Sequence, residues 1–465
     1  MAETFQMVVD YARSNRDRFT QELIEVLRIP SISTSAEHAS HVLQCAQWLK
    51  DHLLTIGLQR AKVLPTELHP VVYGEYLSGS SLPTILIYGH YDVQPPDPFE
   101  QWTSSPFEPE IRTGKLYARG ATDMKGQLMV ALKAVESLLK MSDLLLNIKF
   151  ILEGEEEIGS PSMDTFLKQN KRLLDADIVL NLDAGMASRG VPSITYGLRG
   201  LAYFEIHVRG PQSDLHSGLF GGVVHNPAQA LCELIAGMHD ANGRITLPGF
   251  YDQVQPLSKD ERELLSQSPT DEQHYLTQTG VQKLWGEPDF TPLERIGARP
   301  TLEVNGLRSG FIGDGAKTVI PSEAMAKISM RLVPDQSPDE VHQQLRTYMA
   351  SSAPDTIEWK VILLNSGAPS ITNLETPISK AFERALETNW GRHVVYKREG
   401  GSIPIVEKMQ QILGLDSILS GFALPEDQMH APNENLDLDT WAHGIETVIQ
   451  FFYNLAILKE SNNVI

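Results

Sequence analysis

The sequence predicts an α/β fold with a second, α+β unit inserted into it, and three observations carry that prediction. Up to Gly185, short apolar runs alternate with helical periodicity, the pattern of a sheet covered by helices. After Asp183 the character changes to Leu201-Ala202-Tyr203-Phe204-Glu205-Ile206-His207-Val208, whose period of two marks a half-buried strand. From about Ala368 the first pattern resumes. The chain of 465 residues thus divides into a first domain of residues 1–192 and 367–465 and an inserted domain of residues 193–366.

In order, residues 5–58 read as helix, loop and helix, the second helix placing Val42, Ala46, Leu49, Leu53 and Leu54 on one face. Thr84-Ile85-Leu86-Ile87-Tyr88 reads as a buried strand that opens into Gly89-His90-Tyr91-Asp92-Val93-Gln94-Pro95. Arg119-Gly120-Ala121-Thr122-Asp123 leads into a helix that starts near Met124. A second apolar run, residues 147–152, ends in Glu153-Gly154-Glu155-Glu156-Glu157-Ile158-Gly159-Ser160, and a third, residues 178–182, ends at Asp183. In the insertion, a helix over 227–238 precedes a polar stretch over 243–300. Strands at 317–321 and 324–333, a helix over 338–351 and a strand over 358–364 follow, the order of a split β-α-β sandwich. After the return, residues 418–422 lead into Glu426-Asp427-Gln428-Met429-His430-Ala431-Pro432-Asn433-Glu434.

Hydrophobic residues at 42% and charged residues at 21% describe an ordinary soluble globular chain. A formal charge of −20 argues against nucleic acid and anionic membranes as partners. The two cysteines, Cys45 and Cys232, support neither a disulfide framework nor a thiolate metal site, which fits a reducing cytoplasm. The N-terminus shows no basic segment followed by an apolar core, and no apolar run approaches the ~20 residues of a membrane helix.

Each polar residue at a strand end has an ordinary explanation when taken alone. His90 and Asp92 could be a satisfied polar pair, Asp123 a helix N-cap, and residues 155–157 an acidic helix start. Asp183 could be a turn residue and His430 a loop residue. Together they supply the nitrogen and oxygen ligand set of zinc or manganese, at the strand ends where open α/β sheets keep their ligands. Two ions about 3.5–4 Å apart, sharing one carboxylate, need roughly this many ligands.

These segments resemble the dinuclear-metal dipeptidase and deacylase family, which includes carnosine dipeptidases, acetylornithine deacetylase and succinyl-diaminopimelate desuccinylase. The residues that carry the resemblance are 89–95, 119–126 and 153–160. Ser213-Asp214-Leu215-His216-Ser217-Gly218, Leu247-Pro248-Gly249-Phe250-Tyr251, residues 317–334 and His430-Ala431-Pro432-Asn433-Glu434 resemble its cytosolic non-specific dipeptidase and carnosine dipeptidase branch. The similarity runs from about Ser31 to Thr440. It implies a mixed sheet sandwiched by helices, with the insertion serving as lid and dimerisation domain.

The resemblance also implies roles. His90 and Asp183 would hold one metal, Glu157 and His430 the other, and Asp123 would bridge them. Asp92 would orient His90, and Glu156 would be the general base. His216 would reach the active site of a partner subunit in a homodimer and stabilise the oxyanion. Arg331 would bind the substrate's free carboxylate, with Thr318 and Ser402 beside it. The implied cofactors are two divalent ions per subunit, Zn2+ first, with Mn2+ or Co2+ as alternatives. The implied substrates are dipeptides, with N-acyl amino acids as the alternative. The family usually has an apolar or small residue where Glu155 stands. A register slip of one position would therefore make Glu155 the base and Glu156 the ligand. A catalytically silent member would lack a ligand or the base, and neither is missing here.

Overall fold

The structure, a computed structural model, describes residues 2–142, 146–401 and 403–460. The chain forms two compact units. One comprises Met1–Tyr196, Thr372–Lys397 and Pro404–Ile465, the other Gly197–Ile371 and Arg398–Ile403. The first division falls later than 192/193 because Ile194 and Thr195 pair with Ser420 and Leu419 and so belong to the first unit's sheet; the second falls at 371/372 rather than 366/367.

Six strands that precede the insertion belong to the first unit's main sheet, and Glu110–Arg112 and Lys115–Tyr117 form a separate small sheet with Asn435–Asp437. The six are β1 (Arg60–Leu64), β2 (Val71–Tyr76), β3 (Thr84–His90), β4 (Asn147–Glu153), β5 (Ile178–Asn181) and β6 (Ser193–Leu198). With the returning strand Ser417–Ser420, their order in the sheet is β1-β2-β4-β3-β5-(Ser417–Ser420)-β6. β3 runs parallel to β4 and β5, and Ser417–Ser420 runs parallel to β5. The outer pairings β1–β2, β2–β4 and β6–(Ser417–Ser420) are antiparallel, so the sheet is mixed. β4 is buried along its whole length and β3 along all but Thr84; β3, parallel to both neighbours, is the central strand that such a short apolar run predicts. In the parallel register His90 lies opposite Glu153, so the carboxyl ends of adjacent strands reach one edge together.

The helix Lys125–Met141 is buried from Lys125 through Leu138. Each large apolar side chain buried in this way contributes about 1.5–3 kcal/mol. The charged residues within that buried stretch are paired. Lys125 Nζ caps the helix Arg16–Leu27 through Val26 O at 3.1 Å and Ile29 O at 2.7 Å. Lys133 Nζ uses its three donors on Glu22, on His52 Nε2 at 2.7 Å and on Glu136 Oε2 at 2.9 Å. The helix Ala39–Ile56 packs on β1 and β2 through Val42, Ala46, Leu49 and Leu53. Leu54, expected on the same face, is 45% exposed because it lies past the edge of the buried stripe.

The second unit is built on a four-stranded antiparallel sheet. Its strands β7 (Gly200–Arg209), β8 (Thr301–Ser309), β9 (Glu323–Leu332) and β10 (Glu358–Gly367) lie in the order β8-β9-β7-β10. Alternate residues of β7 and β9 are buried. They form a core with the helices Pro227–Ala236 and Pro338–Ser352 around Phe204, Ile206, Ile328 and Met330. The strand expected at 317–321 is only Val319–Ile320, paired with Leu215–His216. The polar stretch 243–300 contains the helices Lys259–Ser266, Glu272–Thr279 and Pro292–Ala298. Among the described residues, no helix is long and apolar enough to cross a membrane.

Candidate metal centre

The site lies in the first unit, at the carboxyl ends of β3, β4 and β5. His90 closes β3 and is fully buried. Its Nδ1 lies 3.1 Å from the Asp92 backbone oxygen and 3.5 Å from Asp92 Oδ1. A proton on Nδ1 then leaves Nε2 free to act as a ligand. His90 Nε2 is 3.0 Å from Asp123 Oδ1 and 3.7 Å from Asp183 Oδ1. On the other side, His430 Nε2 is 2.7 Å from Asp123 Oδ2 and 3.5 Å from Glu157 Oε2. Each oxygen of one carboxylate therefore faces a different imidazole.

Asp123 is not the cap of the helix that follows it. That helix starts at Lys125 behind Met124, with no side-chain cap, so the Asp123 carboxylate is free to face the two histidines. Glu156 and Glu157 lie in the 3-10 turn Glu156–Ile158, not in an α-helix. Asp92 fixes that turn, accepting the Glu156 N–H at 3.3 Å and the Glu157 N–H at 3.1 Å. Gln94 Nε2 donates to Glu157 Oε2 at 2.7 Å. Glu157 Oε1 is buried with no hydrogen-bond partner among the described residues, the mark of a group shaped for a cation. One ligand atom each from His90, Asp123 and Glu157 lies within 4.8 Å of the others, a clustering of donors of the kind a metal centre needs.

Glu155 has a different environment. It is buried, and its Oε1 accepts Thr66 Oγ1 at 3.0 Å, His69 N at 2.8 Å and Ser162 Oγ at 2.9 Å, while Oε2 accepts Ser162 N at 2.9 Å. Burial pushes Glu156 well above the usual carboxylate range; His90 opposes this, and Asp183, Glu157 and Glu153 add to it. Burial likewise raises Glu153 to about 7, with Asp92 adding to the rise. Burial alone would lower His90, but Asp183, Asp123 and Asp92 outweigh it and hold the imidazole well above its ordinary value. Hydrogen bonds to Asp123 and Glu157 raise His430 to about 10.

One residue that received no role from the sequence is central here. Glu434 is fully buried and ties the 426–434 loop to the turn before Asp123. Its Oε2 accepts Arg119 Nη1 at 2.6 Å and Gly120 N at 3.0 Å, and its Oε1 accepts Thr122 N at 2.9 Å and Asp123 N at 3.1 Å. Gly120 adopts φ +84°, and a Cβ there would sit 2.7 Å from Val93 Cγ1, so the turn requires glycine. Nothing in the local sequence singles Glu434 out, because Arg119 and Glu434 each stand among other charged residues and their pairing spans more than 300 positions.

The remaining expected residues lie in the second unit. His216 is exposed, and its Nδ1 accepts the Gly218 N–H at 3.0 Å at the start of the short helix Ser217–Phe220. Thr318 is exposed and its carbonyl accepts the Ser217 N–H at 3.1 Å, which places it next to the His216 segment. Arg331 lies on the sheet face opposite the helices, half-buried in a cleft of about 420 Å³ lined also by Arg199, His239, Trp285 and Ser329. Burial lowers the Arg331 pKa. Ser402 lies outside the described residues.

Residues 86–454 match the model of peptidase family M20/M25/M40. The chain is 31% identical to human Beta-Ala-His dipeptidase over 97% of its own length and 93% of that protein's. It is also 31% identical to the Cys-Gly metallodipeptidase DUG1 of Candida albicans, over 95% and 96% of the two chains. Among solved structures, the M20 family metallo-carboxypeptidase Sso-CP2 of Sulfolobus solfataricus matches with a TM-score of 0.83 at 32% identity, covering 95% of this chain and 99% of that one. Human carnosine dipeptidase 1 matches with a TM-score of 0.79 at 30% identity, covering 98% and 99%.

Proposed function

The chain belongs to peptidase family M20/M25/M40, and we propose that within it the protein is a metal-dependent dipeptidase that hydrolyses the amide bond of dipeptides with a free C-terminal carboxylate. The observation that carries this reading is the Asp123 carboxylate, whose two oxygens lie 3.0 and 2.7 Å from the imidazoles of His90 and His430. His90, Asp123 and Asp183 would hold one divalent ion, and Asp123, Glu157 and His430 the other. The nitrogen and oxygen donor set suits Zn2+, with Mn2+ or Co2+ as alternatives. When bound, such a pair polarises an amide carbonyl and lowers the pKa of a shared water.

The chain's own residues supply the rest. Glu156 takes the proton of the attacking water and returns it to the leaving amine. Its backbone is fixed by Asp92 and its carboxyl is raised by burial, which matches it to proton transfer nearer neutrality. Arg331 anchors the free carboxylate through the guanidinium fork; Thr318, which lies beside the His216 segment and outside the Arg331 cleft, would join it only from the partner subunit, as His216 would. His216 stabilises the oxyanion in the partner subunit of a homodimer. Leu219, Val223 and Ile312, on segments next to the Leu215–His216 and Val319–Ile320 pair, are 74, 82 and 89% exposed, an apolar surface that a second subunit would cover. The free cysteines Cys45 and Cys232 suit a reducing compartment such as the cytoplasm.

The likeness to the metallo-carboxypeptidase Sso-CP2 favours a second reading, removal of C-terminal residues from longer peptides by the same chemistry. N-acyl-amino-acid deacylation is a third use of it. A hydrolysis screen of the Zn2+-, Mn2+- and Co2+-loaded protein separates the three, using dipeptides, tri- to pentapeptides, and acetyl- and succinyl-amino acids. The dipeptidase reading requires dipeptides to show the highest kcat/KM. A higher value for longer peptides or acyl amino acids replaces it.

A further inference from the structure

The two halves of the centre are built from different material. His90 ends a sheet strand and is fully buried. His430 is on a loop at φ +59°, and its side chain is 51% exposed. Asp123 must serve both, so the turn that carries it has to be held against the His430 loop. The two segments are joined at their base by the pairing of Asn435–Asp437 with Lys115–Tyr117 and by the Ala118 N–H to Glu434 O bond at 3.1 Å; two side-chain links reach the turn itself, Thr122 Oγ1 to Asp427 Oδ2 at 3.2 Å and the Glu434 carboxylate. The Glu434 link is much the stronger, with three backbone amides and one guanidinium on its two oxygens. Every partner is a donor, so the group accepts throughout, as a carboxylate does. Glu434 touches neither imidazole and is not itself a ligand.

We propose that Glu434 is a positioning residue for the metal centre, clamping the Gly120–Asp123 turn to the loop of His430 so that one carboxylate meets two imidazoles. This rests on the reading of Asp123 as the shared ligand. The consequence is asymmetric. Loss of the clamp loosens the Asp123 turn against the His430 loop, the two staying joined only at their base and through Thr122, while His90 stays fixed at the end of its strand. The ion on the His430 side is therefore the one that weakens.

The test is Co2+ binding to the full chain, read by calorimetry and by the visible absorption of the bound ion, for the wild type, Glu434→Gln, Arg119→Lys, His430→Ala and Asp123→Asn. Glu434→Gln should fold and keep one tight ion. The second should weaken by about 10–100-fold, the usual effect of losing a group that orients a ligand. At one equivalent of Co2+ its spectrum should match that of His430→Ala. Arg119→Lys, which keeps the charge but loses the fork, should show the same selective effect to a lesser degree. A purely structural role would lower the melting temperature and leave both affinities unchanged. That result overturns the proposal, as does equal weakening of both ions or failure of both clamp variants to fold. Two ions retained by Asp123→Asn would instead overturn the shared-ligand reading itself.

Discussion

Glu155 and Glu156 are adjacent carboxylates with opposite predicted fates when each is changed to glutamine. The Glu155 carboxylate is held by Thr66 Oγ1, His69 N, Ser162 Oγ and Ser162 N, all at 2.8–3.0 Å. A glutamine amide keeps one accepting oxygen. With that oxygen in the place of Oε1, the Ser162 N–H loses its acceptor and the new NH2 group faces a donor. Each buried polar group left unpaired costs about 1–3 kcal/mol, so Glu155→Gln should destabilise the protein by about 2–4 kcal/mol. Its metal-loaded turnover should change little. Glu156→Gln makes no such orphan and removes a charge that burial disfavours, so its stability should be equal to or above the wild type's. Its kcat should fall by at least the roughly 10²–10⁴-fold attributed to a general base, with metal content unchanged. Differential scanning fluorimetry and a dipeptide hydrolysis assay on the same metal-loaded preparations read both effects. The reverse pattern, a collapse of kcat in Glu155→Gln with normal stability and near-normal turnover in Glu156→Gln, would refute the assignment and move the base one residue earlier.

Asp123→Asn should bind fewer than two ions per chain by elemental analysis after gel filtration, because a neutral amide cannot replace a carboxylate shared between two ions. Mixed dimers of Glu156→Gln and His216→Ala, each inactive alone, should recover part of the wild-type activity if His216 acts across the dimer; confirmed mixed dimers without activity refute that. Arg331→Met should raise KM for dipeptides far more than it lowers kcat, and substrates with an amidated C-terminus should be insensitive to the change. His52 accepts from Lys133, and burial first, then Lys133, lowers its pKa to about 4, well under the ordinary value of 6.5. The unfolded chain thus takes up a proton that the folded one refuses. Stability should fall by about 3 kcal/mol as pH drops from about 6.5 to about 4 and then level off, a step that His52→Gln should remove in denaturant titrations.

The legible parts of this protein are those where residue type and local period coincide. Thr84-Ile85-Leu86-Ile87-Tyr88 reads as a buried strand because it is a short apolar run, and His90 is marked by following it. β8 was not read. Its sequence, Thr-Leu-Glu-Val-Asn-Gly-Leu-Arg-Ser, carries Asn305-Gly306 at its centre, which signals a turn. In the sheet that pair marks a register shift between Val304 and Gly306, and only Leu302 is buried. The ligand types at the strand ends could be listed from the sequence, but what each carboxylate accepts could not. The partners of Glu155 at Thr66 and His69 stand 89 and 86 positions away, and those of Glu434 more than 300 away.

The same distances explain how the chain tolerates its own site. Asp92, Asp123, Glu153, Glu156, Glu157 and Asp183 gather around two imidazoles, and burial makes three of them resist ionisation, with Glu153 raised to about 7 and Glu156 and Asp183 also raised. A sequence optimised for stability alone would not place them together. The fold offsets this with groups outside the cluster. Glu155 anchors the Glu156–Ile158 turn to residues 66–69 and to Ser162. Glu434 and Arg119 pin the Asp123 turn, and Asp92 spends its carboxylate on two backbone amides instead of on a cation. Acidic residues in this rim thus fall into two kinds, told apart by their partners. Those surrounded by N–H donors hold the backbone in place, while Asp123 and Glu157 face imidazoles or leave a buried oxygen unpartnered. Two divalent ions supply four positive charges where the second kind converge, so metal binding should stabilise the folded chain as well as arm it, by an amount set through mass action by the ions' affinities.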